Sequence, residues 1–297
     1  MFETWGLRMG SKKVLVTGGS GFIGSHLIPK LVGLEYDVYS LERYVTGRYV
    51  LGGRRVVKTV FGDLRDSFHM RNVIRKIQPE AVVHLAAISP VSYSYDHPNE
   101  VLETNFSGTV NLAESCLREV PHFEHFLLAG TSEEYGNQKD MPIKETAELC
   151  PCSPYAVSKV AADKYLQYMH DAYDFPVTVL RNFNTYGRKE NTHFVVERIV
   201  VQMLQGKRIA LGDPKPVRDL LYVDDHVNGY VTCLGNEKAI GEALNFCTAH
   251  GTSIAQLVKT IEKLTNFEGE VIWNTIPERP LDAAILVGDY SKARRLL

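Results

Sequence analysis

The chain has 297 residues, 44% hydrophobic and 23% charged, enough for a sizeable core built as one large α/β domain or two smaller ones. Its 33 basic and 35 acidic side chains leave a formal charge of −2, which argues against a nucleic-acid or membrane surface. The cysteines (Cys116, Cys150, Cys152, Cys233 and Cys247) are scattered and odd in number, so a disulfide framework is not expected and a reducing cytoplasm is.

The opening "MFETWGLRMGSKK" lacks a signal peptide's apolar stretch and reads as a disordered lead-in, with Met9 as an alternative start. From there short β-rich runs alternate with helical patterns. In chain order the pattern predicts a strand over Lys13–Thr17, a helix over Phe22–Leu34 and strands over Asp37–Leu41 and Val56–Phe61. A helix over Ser67–Ile77, a strand over Ala81–Leu85 and a long helix over Glu100–Val120 follow. The strand His125–Leu128, the helix Pro154–Tyr173 and the strand Val177–Leu180 complete the series. Six strands in this rhythm predict a doubly wound parallel sheet of Rossmann type, with ligands at the strands' carboxyl ends. After Arg181 the rhythm breaks into loops such as "GDPKPVRD", with helices near Thr192–Leu204, Asp225–Leu234 and Ser253–Leu264. The expected division is 11–182 with 217–247 as the dinucleotide domain, and 183–216 with 248–297 as a smaller substrate domain. The closing "DYSKARRLL" reads as a helix that has barely begun, an expectation of truncation. Cys150-Pro-Cys152 is too tightly spaced for usual metal ligation and reads as two small loop residues, so no metal is expected.

"VLVTGGSGFIGSH" puts Gly18, Gly19, Gly21 and Gly24 between a predicted strand and a predicted helix. That is the context a dinucleotide fingerprint requires. One glycine permits the turn, another lets a pyrophosphate touch the main chain, and Gly24 lets the helix pack against the strand. The helix N-terminus offers N–H groups and partial positive charge to the phosphates. Glu42 follows Gly24 by 18 residues, where a carboxylate accepts hydrogen bonds from the adenosine ribose and repels a 2′-phosphate. NAD is therefore favoured, with NADP left open by Arg43 beside it. Asp63, at the end of the third strand, is placed to meet the adenine edge.

"SPYAVSKVAADKY" puts Tyr155 and Lys159 four apart on one helical face. A free tyrosine, with a pKa of about 10, is a poor base at neutral pH. The nearby lysine cation and a bound oxidised nicotinamide are expected to favour phenolate. Thr131, Ser132 and Glu133, in "FLLAGTSEEYG", follow a strand's carboxyl end. Thr131 is placed to share a substrate hydroxyl with Tyr155, and Ser132 and Glu133 to handle a second proton transfer.

Together, "TGGSGFIGSHL", "HLAA", "NFSGTVNL", "TSEEYG", "YAVSK", "RNFNTYG", "RDLLYVDD" and "ERPLDA" resemble the extended short-chain dehydrogenase/reductases, specifically their nucleotide-sugar epimerases and dehydratases. The resemblance implies cofactor contacts at Gly18, Gly21, Phe22, Ile23, Gly24, Glu42, Arg43, Asp63, Leu64, Leu85, Ala86, Ala87, Tyr155 and Lys159. It implies a nucleotide diphosphate sugar at Asn184, Arg218, Arg279 and Ser89, a pair of guanidinium groups suiting a diphosphate. A homodimer through the helices of "NFSGTVNLAESCL" and "SPYAVSKVAADKYLQYM" is a further implication. Such enzymes oxidise the sugar at C4. Thr131-Ser132-Glu133 resembles the Thr-Ser-Glu of GDP-mannose 4,6-dehydratases, and Ser132 stands where dTDP-glucose 4,6-dehydratases carry aspartate. A 4,6-dehydratase is the leading expectation. A 4-epimerase, a UDP-glucuronate decarboxylase with an extra cation at Arg188 or His193, and a non-catalytic dinucleotide sensor remain open.

Overall fold

A computed structural model describes residues 11–44, 57–187, 192–276 and 279–297. The chain begins with β1 (Lys13–Thr17), α1 (Phe22–Gly33), β2 (Asp37–Glu42), β3 (Lys58–Phe61), α2 (Ser67–Ile77) and β4 (Ala81–His84). Two short helices, α3 (Val91–Asp96) and α4 (Pro98–Leu102), lead into α5 (Gly108–Glu119), β5 (His125–Thr131), α6 (Pro154–Tyr173) and β6 (Val177–Asn182). All of β4 and β5 is buried, as strands covered on both faces must be. This is why they read in sequence as nearly unbroken apolar runs.

The main sheet has the order β3-β2-β1-β4-β5-β6 and gains a seventh strand, β10 (Ala243–Phe246), at the β6 edge. All its pairings are parallel. The strand order reverses between β1 and β4, so their carboxyl ends open the crevice where ligands bind in such sheets. One face is packed by α1 and α8 (Val223–Cys233), with Leu27, Leu31, Val227 and Tyr230 in its core. The other is covered by α2, α5 and α6, around Ile74, Leu112, Phe126 and Leu166.

Beyond β6 lie β7 (Asn184–Tyr186), α7 (Val195–Gln205), β8 (Arg208–Ala210) and β9 (Val217–Tyr222). After β10 come β11 (Gly251–Ser253), α9 (Ile254–Thr265), β12 (Glu270–Ile272), β13 (Ile285–Leu286) and α10 (Ser291–Leu296). Here β9 pairs with β7, β11 and β13, while β8 pairs with β12. Residues 217–222 thus join a second sheet by hydrogen bonding, whereas α8 and β10 return to the first.

Three local expectations need correction. The third strand spans Lys58–Phe61 and does not include Val57, while Val56, its expected start, lies outside the described residues. The main sheet has seven strands rather than six, because the short run Ala243–Phe246 adds to β6. The helix expected over Glu100–Val120 starts at Pro98 and is interrupted by a π-turn, Glu103–Ser107. A π-turn inserts one residue into the helical ladder and redirects the side chains within it. Here Asn105 points inward: its Oδ1 accepts the Ile88 N–H at 2.8 Å, and its Nδ2 donates to Ile88 O and Ser158 Oγ, both at 3.1 Å. The amide clamps the loop after β4 to α6.

Candidate active site

The turn after β1 is shaped by what a side chain would strike. Gly18 has φ of +71°, and a Cβ there would lie 2.9 Å from the Ala86 backbone. One on Gly24 would lie 2.7 Å from Gly19 Cα and press into the turn's own carbonyls. These are backbone obstacles that cannot rotate away, so the turn and the first coil of α1 need glycine. Phe22 and Ile23 pack on the core of that face, and Gly21 caps α1 without a side-chain acceptor. The helix N-terminus keeps its anion-binding N–H groups. Leu85, Ala86 and Ala87 form the opposite wall after β4, tied by Leu85 N–H to Thr17 O and Ala86 N–H to Thr17 Oγ1, both at 3.2 Å.

Glu42, the last residue of β2, is held by three donors: Ser20 N–H at 3.0 Å, Ser20 Oγ at 2.6 Å and Ser40 Oγ at 2.5 Å. The glycine loop therefore fixes the carboxylate at the end of β2. Arg43 is drawn away toward Asp63, 3.2 Å off, and Glu100, 3.8 Å off. Asp63 is also gripped by Arg65, whose hydrogen bonds lower its pKa to about 2. Leu64 is buried against Gly108. A fixed acid with its neighbouring arginine already paired fits NAD better than NADP. Glu42→Ala is expected to weaken NAD binding about tenfold, the loss of a hydrogen bond to a charged group, and to narrow the gap to NADP. Titration calorimetry with both dinucleotides checks this.

Tyr155 and Lys159 project from one face of α6. That helix starts at Pro154 behind a Ser153 cap whose Oγ accepts the Ala156 N–H at 3.1 Å. Both side chains are buried, at 8% and 4% exposure. Thr131 ends β5, and its hydroxyl donates to the Tyr155 oxygen, which favours phenolate. Burial wins nevertheless and pushes the Tyr155 pKa up, assisted by Glu133 and Glu134. The expected help from Lys159 is not decisive. Burial brings Lys159 down to about 8 against the pull of Glu134 and Asp163, so it is still mostly charged at pH 7 but loses its charge well below the usual lysine range. Ser132 is buried beside Thr131, and the Glu133 N–H donates to Thr131 Oγ1 at 3.3 Å.

Glu133 is half-buried, and desolvation raises its pKa while Arg218 and Arg279 oppose the rise. Residues of the second sheet and of the loop before β13 thus act on a carboxylate that follows β5 of the main sheet. Arg218, 6% exposed on β9, and Arg279 both reach Asp282 Oδ1, at 3.2 and 3.1 Å. Asn184, at the start of β7, buries an Oδ1 atom that no donor satisfies. Buried polar groups normally find a partner, so this oxygen suits a ligand hydroxyl or N–H donor, and the arginine pair suits an anionic group. Ser89 is half-buried on the loop that Asn105 clamps, while His193 is exposed and Arg188 lies outside the described residues. Cys150 and Cys152 are free thiols.

Some site residues escaped the sequence reading. Glu134 closes a capping box with Thr131, a signal present in "TSEE". Arg181 lies against Asp163 at 2.9 Å beneath Lys159. His84 is wedged between Thr17 Oγ1, 2.6 Å from Nδ1, and Thr109 Oγ1, 2.9 Å from Nε2. Since Thr109 donates its proton to Asn105 O, Nε2 is the protonated nitrogen and Nδ1 accepts from Thr17. This neutral imidazole ties β1, β4 and α5 together behind the crevice.

Burial lowers His84 and His226 to about 3 and His125 to about 4. In the unfolded chain these histidines take up protons near pH 6.5. Below that pH the unfolded state binds more protons than the native state, so stability falls with pH until the folded values are reached. Three such groups together cost about 4 kcal/mol per pH unit between pH 6 and 5. Urea midpoints should therefore drop steeply from pH 7 to 5, and less steeply in His125→Asn.

A family model described as GDP-mannose 4,6-dehydratase matches residues 15–297. Human dTDP-D-glucose 4,6-dehydratase is 31% identical, over 91% of this chain and 79% of its own. The UDP-glucose 4-epimerase of Thermotoga maritima, solved with UDP-glucose, superposes with a TM-score of 0.87 at 31% identity, over 95% of this chain and 91% of its own. That of Thermus thermophilus, solved with NAD, gives 0.86 at 30% identity, over 95% and 92%. With its parallel sheet, glycine turn and Thr131–Tyr155–Lys159 cluster, the chain belongs to the NAD-dependent nucleotide-sugar epimerases and dehydratases of the extended short-chain dehydrogenase/reductase family.

Proposed function

We propose that the chain is an NAD-dependent nucleotide-sugar 4,6-dehydratase. The carrying observation is Glu133, a half-buried carboxylate of raised pKa, two residues beyond the threonine that hydrogen-bonds Tyr155 and facing Arg218 and Arg279. The glycine turn and Glu42 would hold NAD, which when bound would supply hydride-acceptor chemistry at C4 and hydride-donor chemistry at C6. Tyr155 takes the C4 hydroxyl proton, Thr131 orients that hydroxyl, and Lys159 stabilises the phenolate. The resulting C4 ketone acidifies the C5 proton. Glu133 removes that proton and delivers one to the departing C6 hydroxyl, with Ser132 as hydrogen-bonding neighbour. Water leaves, C5 takes up a solvent-exchanged proton as the electron pair returns at C6, and the proton held by Tyr155 is released to balance it, so a 4-keto-6-deoxy sugar results with no net change in the cofactor.

In this reading the lobe of 183–216 and 248–297, together with β9, holds the nucleotide diphosphate sugar, through Asn184, Arg218 and Arg279. Ser89 contacts the sugar from the main sheet's side. Asp282, bridging the arginines, fixes their spacing until the diphosphate engages them. Arg218→Leu is expected to raise KM at least tenfold, with NAD affinity unaltered, as removal of one charge-assisted contact implies.

A 4-epimerase is the second reading, favoured by the likeness to the two epimerase structures. Turnover in D2O separates the two. Dehydration must exchange the C5 proton with solvent, so the product carries deuterium at C5. Epimerisation at C4 leaves C5 unlabelled.

A further inference from the structure

Behind Tyr155 and Lys159 lies a fully enclosed group of charges that the proposed proton transfers do not use. Glu134 and Asp163 have no exposed surface, and Arg181 is 3% exposed. Asp163 is well supplied: Oδ2 accepts from Arg181 Nε and Nη2 at 2.9 Å, and Oδ1 from Gln167 Nε2 at 2.6 Å. Arg181 also donates from Nη1 to Tyr135 OH at 3.0 Å and to Glu145 O at 3.1 Å. Glu134 is served on one side only. Its Oε1 accepts the Thr131 N–H at 2.7 Å, while Oε2 is buried with no N–H or O–H donor, 3.5 Å from Arg181 Nε. The Asp163 carboxylate, held by the same guanidinium, lies close enough to raise the Glu134 pKa.

Two buried carboxylates cannot both stay ionised against one another, and an acceptor oxygen facing another acceptor gains nothing. A proton on Glu134 Oε2 resolves both problems, because the hydroxyl then donates to Asp163. We propose that Glu134 is a protonated positioning residue, which holds Thr131 through its carbonyl oxygen and Asp163 through its hydroxyl. This rests on the reading of Thr131, Tyr155 and Lys159 as the proton-transfer group.

The functional consequence is a charge count. From the elements packed around it, the charged and titratable groups facing Glu134 are Tyr135 beside it, Tyr155, Lys159 and Asp163 on α6, and Arg181 on β6, with Glu133 adjacent in sequence. With Glu134 neutral, Lys159 and Arg181 share a single counter-charge, Asp163, and a net positive charge remains beneath the Tyr155 phenol. With Glu134 ionised that surplus is cancelled and the phenolate is disfavoured. Thr131 would also lose its rigid backing, because Glu134 would be repelled from Asp163.

Glu134→Gln tests this, since a glutamine amide accepts from Thr131 N–H and donates to Asp163 as a protonated glutamate does. At pH 7, the infrared difference spectrum of wild type minus Glu134→Gln is expected to show a carboxylic-acid carbonyl band. Tyrosinate absorbance, referred to Tyr155→Phe with NAD present, is expected to titrate with the same midpoint in both proteins. Absence of the band, or a midpoint lowered by about one unit in Glu134→Gln as the removal of a neighbouring negative charge requires, overturns the proposal. Neither readout needs a sugar substrate, so a wrong assignment of the reaction leaves the result interpretable. Glu134→Leu, which keeps bulk but neither bond, is expected to lower turnover at least tenfold with NAD affinity within threefold. Unchanged turnover there overturns the positioning role, and if that variant fails to fold the glutamine results still decide the protonation state.

Discussion

Tyr155→Phe is expected to lower turnover about a thousandfold while NAD affinity stays within about threefold, the loss typical of a removed general acid–base group. In free-energy terms this is about 4 kcal/mol of transition-state stabilisation. The phenol is buried and its oxygen is engaged by Thr131. The substitution deletes that oxygen without opening a cavity, so the fold and the dinucleotide turn should be untouched. A protein that used NAD only as a sensed ligand would show unaltered binding and have no turnover to lose. Calorimetric NAD affinity and single-turnover kinetics on the same preparation separate these cases.

Glu133→Gln carries the second large effect. If Glu133 takes the C5 proton, the amide should slow water loss by about a thousandfold, with oxidation at C4 largely retained. Reduced cofactor should then build up on the enzyme, visible by absorbance. The raised pKa of Glu133 also fixes a pH signature. The base must be ionised, so wild-type turnover falls as pH drops through a midpoint above the ordinary carboxylate range. Both arginines facing Glu133 act in the opposite sense, so Arg218→Leu should move that acid limb to still higher pH.

Sequence and structure agree best where the determining interactions are local. The glycine spacing between β1 and α1, and the i, i+4 relation of Tyr155 and Lys159, depend on a few consecutive residues. The parallel sheet was equally legible, because strands buried on both faces carry unbroken apolar runs. What escaped depends on contacts between distant residues. Asn105 turns inward only because Ile88 and Ser158 receive it. The π-turn therefore leaves no trace in a helical pattern. Glu134, Asp163 and Arg181 come from the turn after β5, from α6 and from β6, and nothing in their separate segments announces a shared cluster. The run Ala243–Phe246 is short and follows irregular chain, so its place at the β6 edge needed the fold. The phenol's raised pKa has the same origin: spacing showed a lysine nearby but not how completely burial would oppose both charges.

Product mass is the most direct test of the assigned reaction. The purified protein, supplied with NAD, would be incubated separately with GDP-mannose, dTDP-glucose, UDP-N-acetylglucosamine and UDP-glucuronate. Loss of one water from one of these, abolished in Tyr155→Phe and strongly slowed in Glu133→Gln, is the predicted result. Conversion of a nucleotide sugar to its C4 epimer at unchanged mass, or loss of carbon dioxide from the glucuronate, with no dehydration of any of the four, would contradict it.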